Sequence, residues 1–212
     1  PYSSKNPEIK KMIGDKPIVT ILNKASLADP KVTADWCRWY RANVNPCVTL
    51  DCLTGEGVTD LKNTVREVLA DKIARYRDRG MEGRRLKAMI VGIPNVGKSS
   101  LINRLAGGKH AKVENRPGVT LTKQWVSTDI GLSLLDMPGV LWPKFDEKRV
   151  GENLAATGAI RDQILDVEEV AIILALRLAE VAPDLLAARY RLTPGEYEDL
   201  DAYDLTELIG KK

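Results

Sequence analysis

Along the first ninety residues, short apolar runs alternate with helical periodicities. Residues 17–22 (Pro-Ile-Val-Thr-Ile-Leu) form a β-branched run, long enough for a buried strand and too short for a helix. It ends at Asn23-Lys24. Val32, Trp36, Trp39 and Tyr40 then recur at helical spacing, predicting a helix over 31–43 with these aromatics in the core. Residues 46–50 read as a second strand, ending at Asp51-Cys52 with a Gly55-Glu56-Gly57 turn behind it. Leu61, Val65, Val68, Leu69 and Ile73 mark one amphipathic helix closing near Gly80. A third run, 88–91, leads straight into a glycine-containing turn and a helix whose inner face is Leu101, Ile102 and Leu105. A polar loop over 115–120 precedes two strands, 122–128 and 132–135, joined by a turn at Asp129-Ile130-Gly131. Beyond residue 149 the pattern is helical only. Asp166 and Glu169 resemble a capping box opening an apolar helix over 170–181, stopped by Pro183. Alternating strands and helices followed by helices alone predict a three-layered α/β domain with a mostly parallel sheet over 1–148, and a small helical domain over 149–212.

The chemistry centres on the third run. Residues 92–99 read Gly-Ile-Pro-Asn-Val-Gly-Lys-Ser, the phosphate-loop pattern GxxxxGK[ST]. A strand delivering such a turn into a helix aims several backbone N–H groups and a helix N-terminus at one point, where a polyphosphate binds. In that pattern Lys98 reaches the β- and γ-phosphates and Ser99 supplies a hydroxyl to Mg²⁺, while Gly92, Asn95, Val96, Gly97 and Ser100 line the cradle. Asp136-Met137-Pro138-Gly139 has the DxxG form. Alone it is weak. After a strand some forty residues beyond a phosphate loop it is strong, with Asp136 holding Mg²⁺ through water and the Gly139 amide sensing the γ-phosphate. Thr120, in the loop between, can add a hydroxyl to the metal.

Composition narrows the class. No apolar run approaches a membrane span, and no secretory leader opens the chain. Cys37, Cys47 and Cys52 are odd in number and lack CxxC spacing, as expected of reduced thiols in a cytoplasmic protein. The single histidine, His110, sits beside Gly107-Gly108-Lys109 and reads as a loop residue, which leaves no triad chemistry. Net charge is only +3. The seven basic residues Lys72, Arg75, Arg77, Arg79, Arg84, Arg85 and Lys87 suit either a phosphate backbone or a solvated helix face.

Asn23-Lys24 resembles the start of the GTPase guanine motif NKxD, and Leu50-Asp51-Cys52 the loop that lends a backbone N–H to the guanine carbonyl. In ordinary GTPases both follow the phosphate loop; here both precede it, the order of circularly permuted GTPases. A parallel sheet tolerates that cut because strands keep their neighbours while only connections change. The segments 92–105, 116–120, 136–145 (Asp-Met-Pro-Gly-Val-Leu-Trp-Pro-Lys-Phe) and 154–160 are similar to the bacterial RbgA/YlqF family of circularly permuted ribosome biogenesis GTPases, in the TRAFAC class. That resemblance implies a GTP- and Mg²⁺-binding GTPase acting in late assembly of the large ribosomal subunit. It implies binding of the immature particle and its rRNA in the GTP state and release after hydrolysis. It makes the region after 149 a ribosome- and RNA-contacting domain. The expected protein is a cytoplasmic monomer with no membrane or DNA partner.

Several positions depart from the pattern. Ser26 stands where NKxD has aspartate, whose charge-assisted bonds to guanine are about twice as strong as neutral ones. Guanine preference is therefore expected to fall by ~1–3 kcal/mol unless something compensates. Asp29 could reach in only after a loop shift. Cys52 replaces a small hydroxyl residue, with little effect expected because the contact there is backbone. Lys24 is expected to pack its stem along the base. Val140 occupies the place of the Ras-type water-orienting glutamine, and Ile93 is apolar too. Asn95 either helps bind K⁺ near the phosphates, as in related GTPases, or braces the loop. Slow intrinsic hydrolysis follows, with help expected from the ribosome. Family members carry an apolar strand just before the position of Pro1, so a missing interior strand and a shortened C-terminus are expected. Two rivals stand: a nucleotide-binding RNA or ribosome scaffold with little hydrolysis, and a phosphate-loop ATPase if the base pocket does not select guanine.

Overall fold

The computed structural model of the protein describes residues 1–108 and 124–212. They fall into two compact units, Pro1–Lys144 and Phe145–Lys212.

The first unit opens with a short helix α1 (Ile9–Ile13), then strand β1 (Thr20–Leu22), a 3-10 turn at Ala25–Leu27 and helix α2 (Pro30–Asn43). Asp29 caps α2 by accepting from the Val32 amide at 2.8 Å, and Pro30 fills the first turn, where no amide is needed. Asp29 thus serves here as the cap of its own helix. Strand β2 (Cys47–Thr49) follows, then α3 (Val58–Val68) and α4 (Ala70–Asp78). The single helix expected here is interrupted at Leu69, which adopts φ −103°, ψ 6° in the sparsely populated bridge region while its amide still reaches Val65 O at 3.1 Å. Apolar spacing continues through such a kink and cannot report it. On α2 the core expectation holds for Tyr40, which is buried, but Val32 and Trp39 are exposed. The three aromatics pack on one another, Trp39 against Tyr40 edge-on at 5.3 Å, and only one side of the helix is covered.

Strand β3 (Leu86–Ile90), helix α5 (Lys98–Leu105), β4 (Gln124–Ser127) and β5 (Leu132–Asp136) complete this unit. Among the described residues the strands form two sheets, β1-β2 and β3-β5-β4, where one was expected. β1 pairs parallel with β2 (Thr20 opposite Cys47), β3 parallel with β5 (Ile90 opposite Asp136), and β4 antiparallel with β5. Side chains span both sheets. Val48 and Leu50 share one buried cluster with Leu61, Leu101, Ile102, Leu105, Leu132 and Leu134. The register of β3 on β5 matters most for function. It sets the carboxyl ends of both strands side by side, where open α/β sheets bind their ligands. Cys37, Cys47 and Cys52 are free thiols. Burial, with Cys37 beside it, pushes the Cys47 thiol up to about 12.

The second unit is helical: α6 (Lys148–Ala156), a 3-10 turn at Asp162–Ile164, α7 (Val167–Val181), α8 (Pro183–Tyr190), α9 (Pro194–Tyr197) and α10 (Ala202–Gly210). Ala175, Leu186, Leu192 and Leu205 form its core. Asp166 caps α7 through the amides of Glu168 and Glu169, at 3.0 and 3.1 Å. The reciprocal capping box is formed instead by Thr193 and Glu196. Pro183 does more than stop α7, since it occupies the first turn of α8.

Candidate functional site

The chain leaves β3 at Ile90 and turns through 91–97 into α5. Asn95 (φ 59°) and Gly97 (φ 88°) both take the left-handed conformation, which curls successive amides toward one side of the loop. The amino end of α5, beginning at Lys98 with Ser99 and Ser100 in its first turn, faces the same place. The Lys98 ammonium donates to Gly92 O at 3.0 Å and Ile93 O at 2.7 Å. Burial lowers its pKa and the neighbouring Asp136 carboxylate opposes that shift. Gly139 lies directly on this loop. A Cβ added there would sit 2.6 Å from Pro94 N and 2.9 Å from Lys98 Nζ. The structure thus brings the DxxG glycine, Lys98 and the phosphate-loop backbone together.

Asp136, at the end of β5, is 2% exposed. Its Oδ2 accepts from Ser99 Oγ at 3.1 Å, while its buried Oδ1 has no partner among the described residues. Buried carboxylate oxygens are rarely left unpaired. An unpaired anionic oxygen beside a hydroxyl is a fitting oxygen donor set for Mg²⁺, a hard cation that keeps waters and takes phosphate oxygens for its remaining positions. No group of three or more His, Cys, Asp and Glu that could hold a metal ion occurs among the described residues.

Asn23 and Cys52 come to this loop from far upstream. The Asn23 amide donates to Val96 O at 2.8 Å, across 73 positions of chain. Gly97 makes room for it, because a Cβ there would fall 2.3 Å from Asn23 Nδ2. The Cys52 thiol donates to Asn23 Oδ1 at 3.3 Å. Arg104, on α5, binds Cys52 O through Nε (2.8 Å) and Nη2 (2.6 Å) and also reaches Leu53 O. Sequence spacing carries no signal for Arg104, because its partners lie 51 and 52 positions away. Lys24 takes φ 60° and is exposed, with Ser26 in the following 3-10 turn.

Ser26 does not stand alone. Its hydroxyl and its amide (3.3 Å) both donate to Asp51 Oδ2, while Asp51 Oδ1 accepts from the amides of Leu53 (2.7 Å) and Thr54 (3.1 Å). The Ser26 hydroxyl first, then the loop amides, hold the Asp51 carboxyl down at about 2, so it is ionised at neutral pH.

Thr120, His110 and the whole of the 115–120 loop lie outside the described residues. Val140 is exposed and Ile93 buried. Part of the basic stretch is committed locally. Arg84 lies over the Tyr76 ring (5.4 Å), Lys87 over Trp125 (5.1 Å), and Arg85 donates to Thr128 O at 2.7 Å. No helix among the described residues is long and apolar enough to cross a membrane.

A strand–loop–helix cradle, a DxxG glycine pressed on it and an NK segment hydrogen-bonded to it from the amino side define a phosphate-loop GTPase domain of permuted order. The comparisons with known proteins agree. A family model described as "50S ribosome-binding GTPase" matches residues 87–191, from β3 onward. Ribosome biogenesis GTPase A of Bacillus pumilus is 41% identical over 214 residues, spanning 100% of this chain and 74% of that protein. The protein of the same name from Priestia megaterium is 43% identical over 205 residues, 96% of this chain and 71% of its own. A solved structure titled as the GDP-bound form of TM YlqF matches with a TM-score of 0.59 at 21% identity, covering 100% of this chain and 84% of that one, a likeness of fold. This chain belongs to the ribosome biogenesis GTPase A (RbgA/YlqF) family.

Proposed function

We propose that this chain is a GTP-binding and GTP-hydrolysing assembly factor for the large ribosomal subunit, a nucleotide-controlled switch on pre-ribosomal particles. One observation carries the reading. Asn23, upstream in the chain, is bonded to Val96 of the phosphate loop, so the base-reading and phosphate-reading segments share one site despite their inverted order. The names of the relatives supply the ribosomal target.

In this reading the N–H groups of the 92–97 loop, Pro94 excepted, and the first turn of α5 take the β-phosphate, and the Lys98 ammonium exchanges its two loop carbonyls for β- and γ-phosphate oxygens. Ser99 and Asp136, with Thr120, would hold Mg²⁺, which would supply positive charge against the charge developing on the phosphates. Gly139 and Lys98 respond to the γ-phosphate because they already touch the same stretch of loop. Asn95, left-handed at the rim, is the candidate for steering K⁺. Neither Val140 nor Ile93 can orient a water, so turnover alone is slow and the ribosome accelerates it. Residues 1–148 act as the switch and 149–212 contact ribosomal RNA. The factor works as a monomer in the cytoplasm, without DNA or membrane partners.

The deciding experiment is GTP turnover with and without purified large subunits. Stimulation of at least about tenfold is expected; an arginine finger supplied in trans gives roughly 10³–10⁵. Nucleotide binding with unstimulated turnover would favour the scaffold reading.

A further inference from the structure

Loss of the NKxD carboxylate at Ser26 ought to blunt guanine recognition. Yet a carboxylate remains beside that position, contributed by another element. Asp51 is 2% exposed, and all four of its donors are close at hand: the Ser26 hydroxyl and amide, and the Leu53 and Thr54 amides. It is therefore sequestered from any ligand. Ser26, in contrast, is exposed at the turn that follows Asn23-Lys24.

We propose that Ser26 and buried Asp51 act as a pair that selects guanine, Asp51 holding the Ser26 proton so that Ser26 Oγ presents only lone pairs to the base. A serine hydroxyl has one proton and two lone pairs, and it ordinarily rotates to suit whichever partner arrives. An ionised carboxylate fixes that rotation, because it can only accept. Its charge also polarises the hydroxyl, strengthening Oγ as an acceptor. Guanine offers two adjacent donors on its Watson–Crick edge, N1–H and the 2-amino group. Adenine offers a lone pair at N1, which would face the Oγ lone pairs with no proton between them. Ser26 is then a specificity-determining residue and Asp51 a positioning residue acting through it. This inference rests on the nucleotide-binding reading above, and it predicts that selectivity survives the departure from NKxD.

The test is GDP and ADP affinity measured by calorimetry on the full chain and on Asp51→Asn, Ser26→Ala, Ser26→Asp and the double variant Ser26→Asp/Asp51→Asn. An asparagine at 51 keeps an oxygen for the Leu53 and Thr54 amides but turns an N–H donor toward Ser26, releasing its proton. The unaltered chain should prefer GDP. Asp51→Asn and Ser26→Ala should each reduce the GDP:ADP affinity ratio by roughly tenfold, about one hydrogen bond's worth. Because the ratio compares two ligands on one sample, a partly unfolded fraction cancels. Ser26→Asp should bind GDP poorly, two carboxylates being forced together, and the double variant should recover binding. An unchanged ratio in Asp51→Asn, no GDP preference in the unaltered chain, or GDP binding by Ser26→Asp that needs no second change would each overturn the pair while leaving nucleotide binding intact. Failure to bind either nucleotide would overturn both the pair and the reading beneath it.

Discussion

Gly139→Ala isolates the contact between the DxxG turn and the phosphate loop. The added Cβ would lie 2.6 Å from Pro94 N, 2.7 Å from Pro94 Cα and 2.9 Å from Lys98 Nζ. Ordinary contact begins near 3.4 Å, so the shortfall at Pro94 N is 0.8 Å (3.4 less 2.6). Two of the three obstructing atoms are backbone and cannot rotate away. The third is an ammonium held by Gly92 O and Ile93 O. Gly139 itself does not sit at positive φ, so the cost is steric and not conformational. Overpacking of this kind costs ~1–3 kcal/mol. The loop must shift to accommodate it, and the loop is the phosphate cradle, so the cost should fall mainly on ligand affinity. That corresponds to a loss of roughly 5- to 150-fold for GDP, and to a larger one for GTP if Gly139 senses the γ-phosphate as proposed. Displacement of a fluorescent nucleotide measures both constants, and a thermal melt separates them from unfolding. Gly195→Ala, where an added Cβ meets nothing within 4 Å, is the matched control and should be neutral. Gly139→Ala binding GDP and GTP within twofold of the unaltered chain would refute the proposed closeness of the two segments.

Two further outcomes test the fold behind the site. Gly57→Ala sets a Cβ 2.0 Å from Thr49 O at a residue with φ 78°, and should destabilise the first unit by roughly 2–4 kcal/mol in a urea titration. On acidification, Asp51 and Glu196 should both withdraw stability. Each is held down to about 2, Asp51 chiefly by the Ser26 hydroxyl and Glu196 chiefly by the Thr193 amide and Lys212. A carboxyl depressed in the folded state stabilises it above the ordinary carboxyl pKa, and that gain is lost as pH falls from about 4 to about 2. The Tm should fall as pH drops through this window, and Glu196→Gln should remove the part of that fall arising in the helical unit.

Much of the site was legible in the chain because its chemistry is local. The phosphate loop is eight consecutive residues, and its geometry follows from glycine placement and a following helix. Asp136 and Gly139 could be read because a strand precedes them. The role of Asn23 was readable only through motif order, and that of Arg104 was not readable at all, since its partners are carbonyls that any residue possesses. The kink at Leu69 and the exposure of Trp39 escaped for a different reason. Periodicity reports which residues could share a face, not a single dihedral or how much of that face is covered.

Ser26 shows where the division falls. By itself the sequence determined that a nucleotide site exists, the order of its parts and the loss of the expected carboxylate, because each is a matter of residue identity and local spacing. Only the tertiary structure decided that Asp51 lies behind Ser26, that Asn23 reaches the loop through the space left by Gly97, and that Asp136 has one oxygen without a partner among the described residues, beside Ser99. Those facts depend on which strand ends are brought side by side, and that is set by the packing of Leu50, Ile102 and Leu134 in one core, an interaction between residues far apart in the sequence of the first unit.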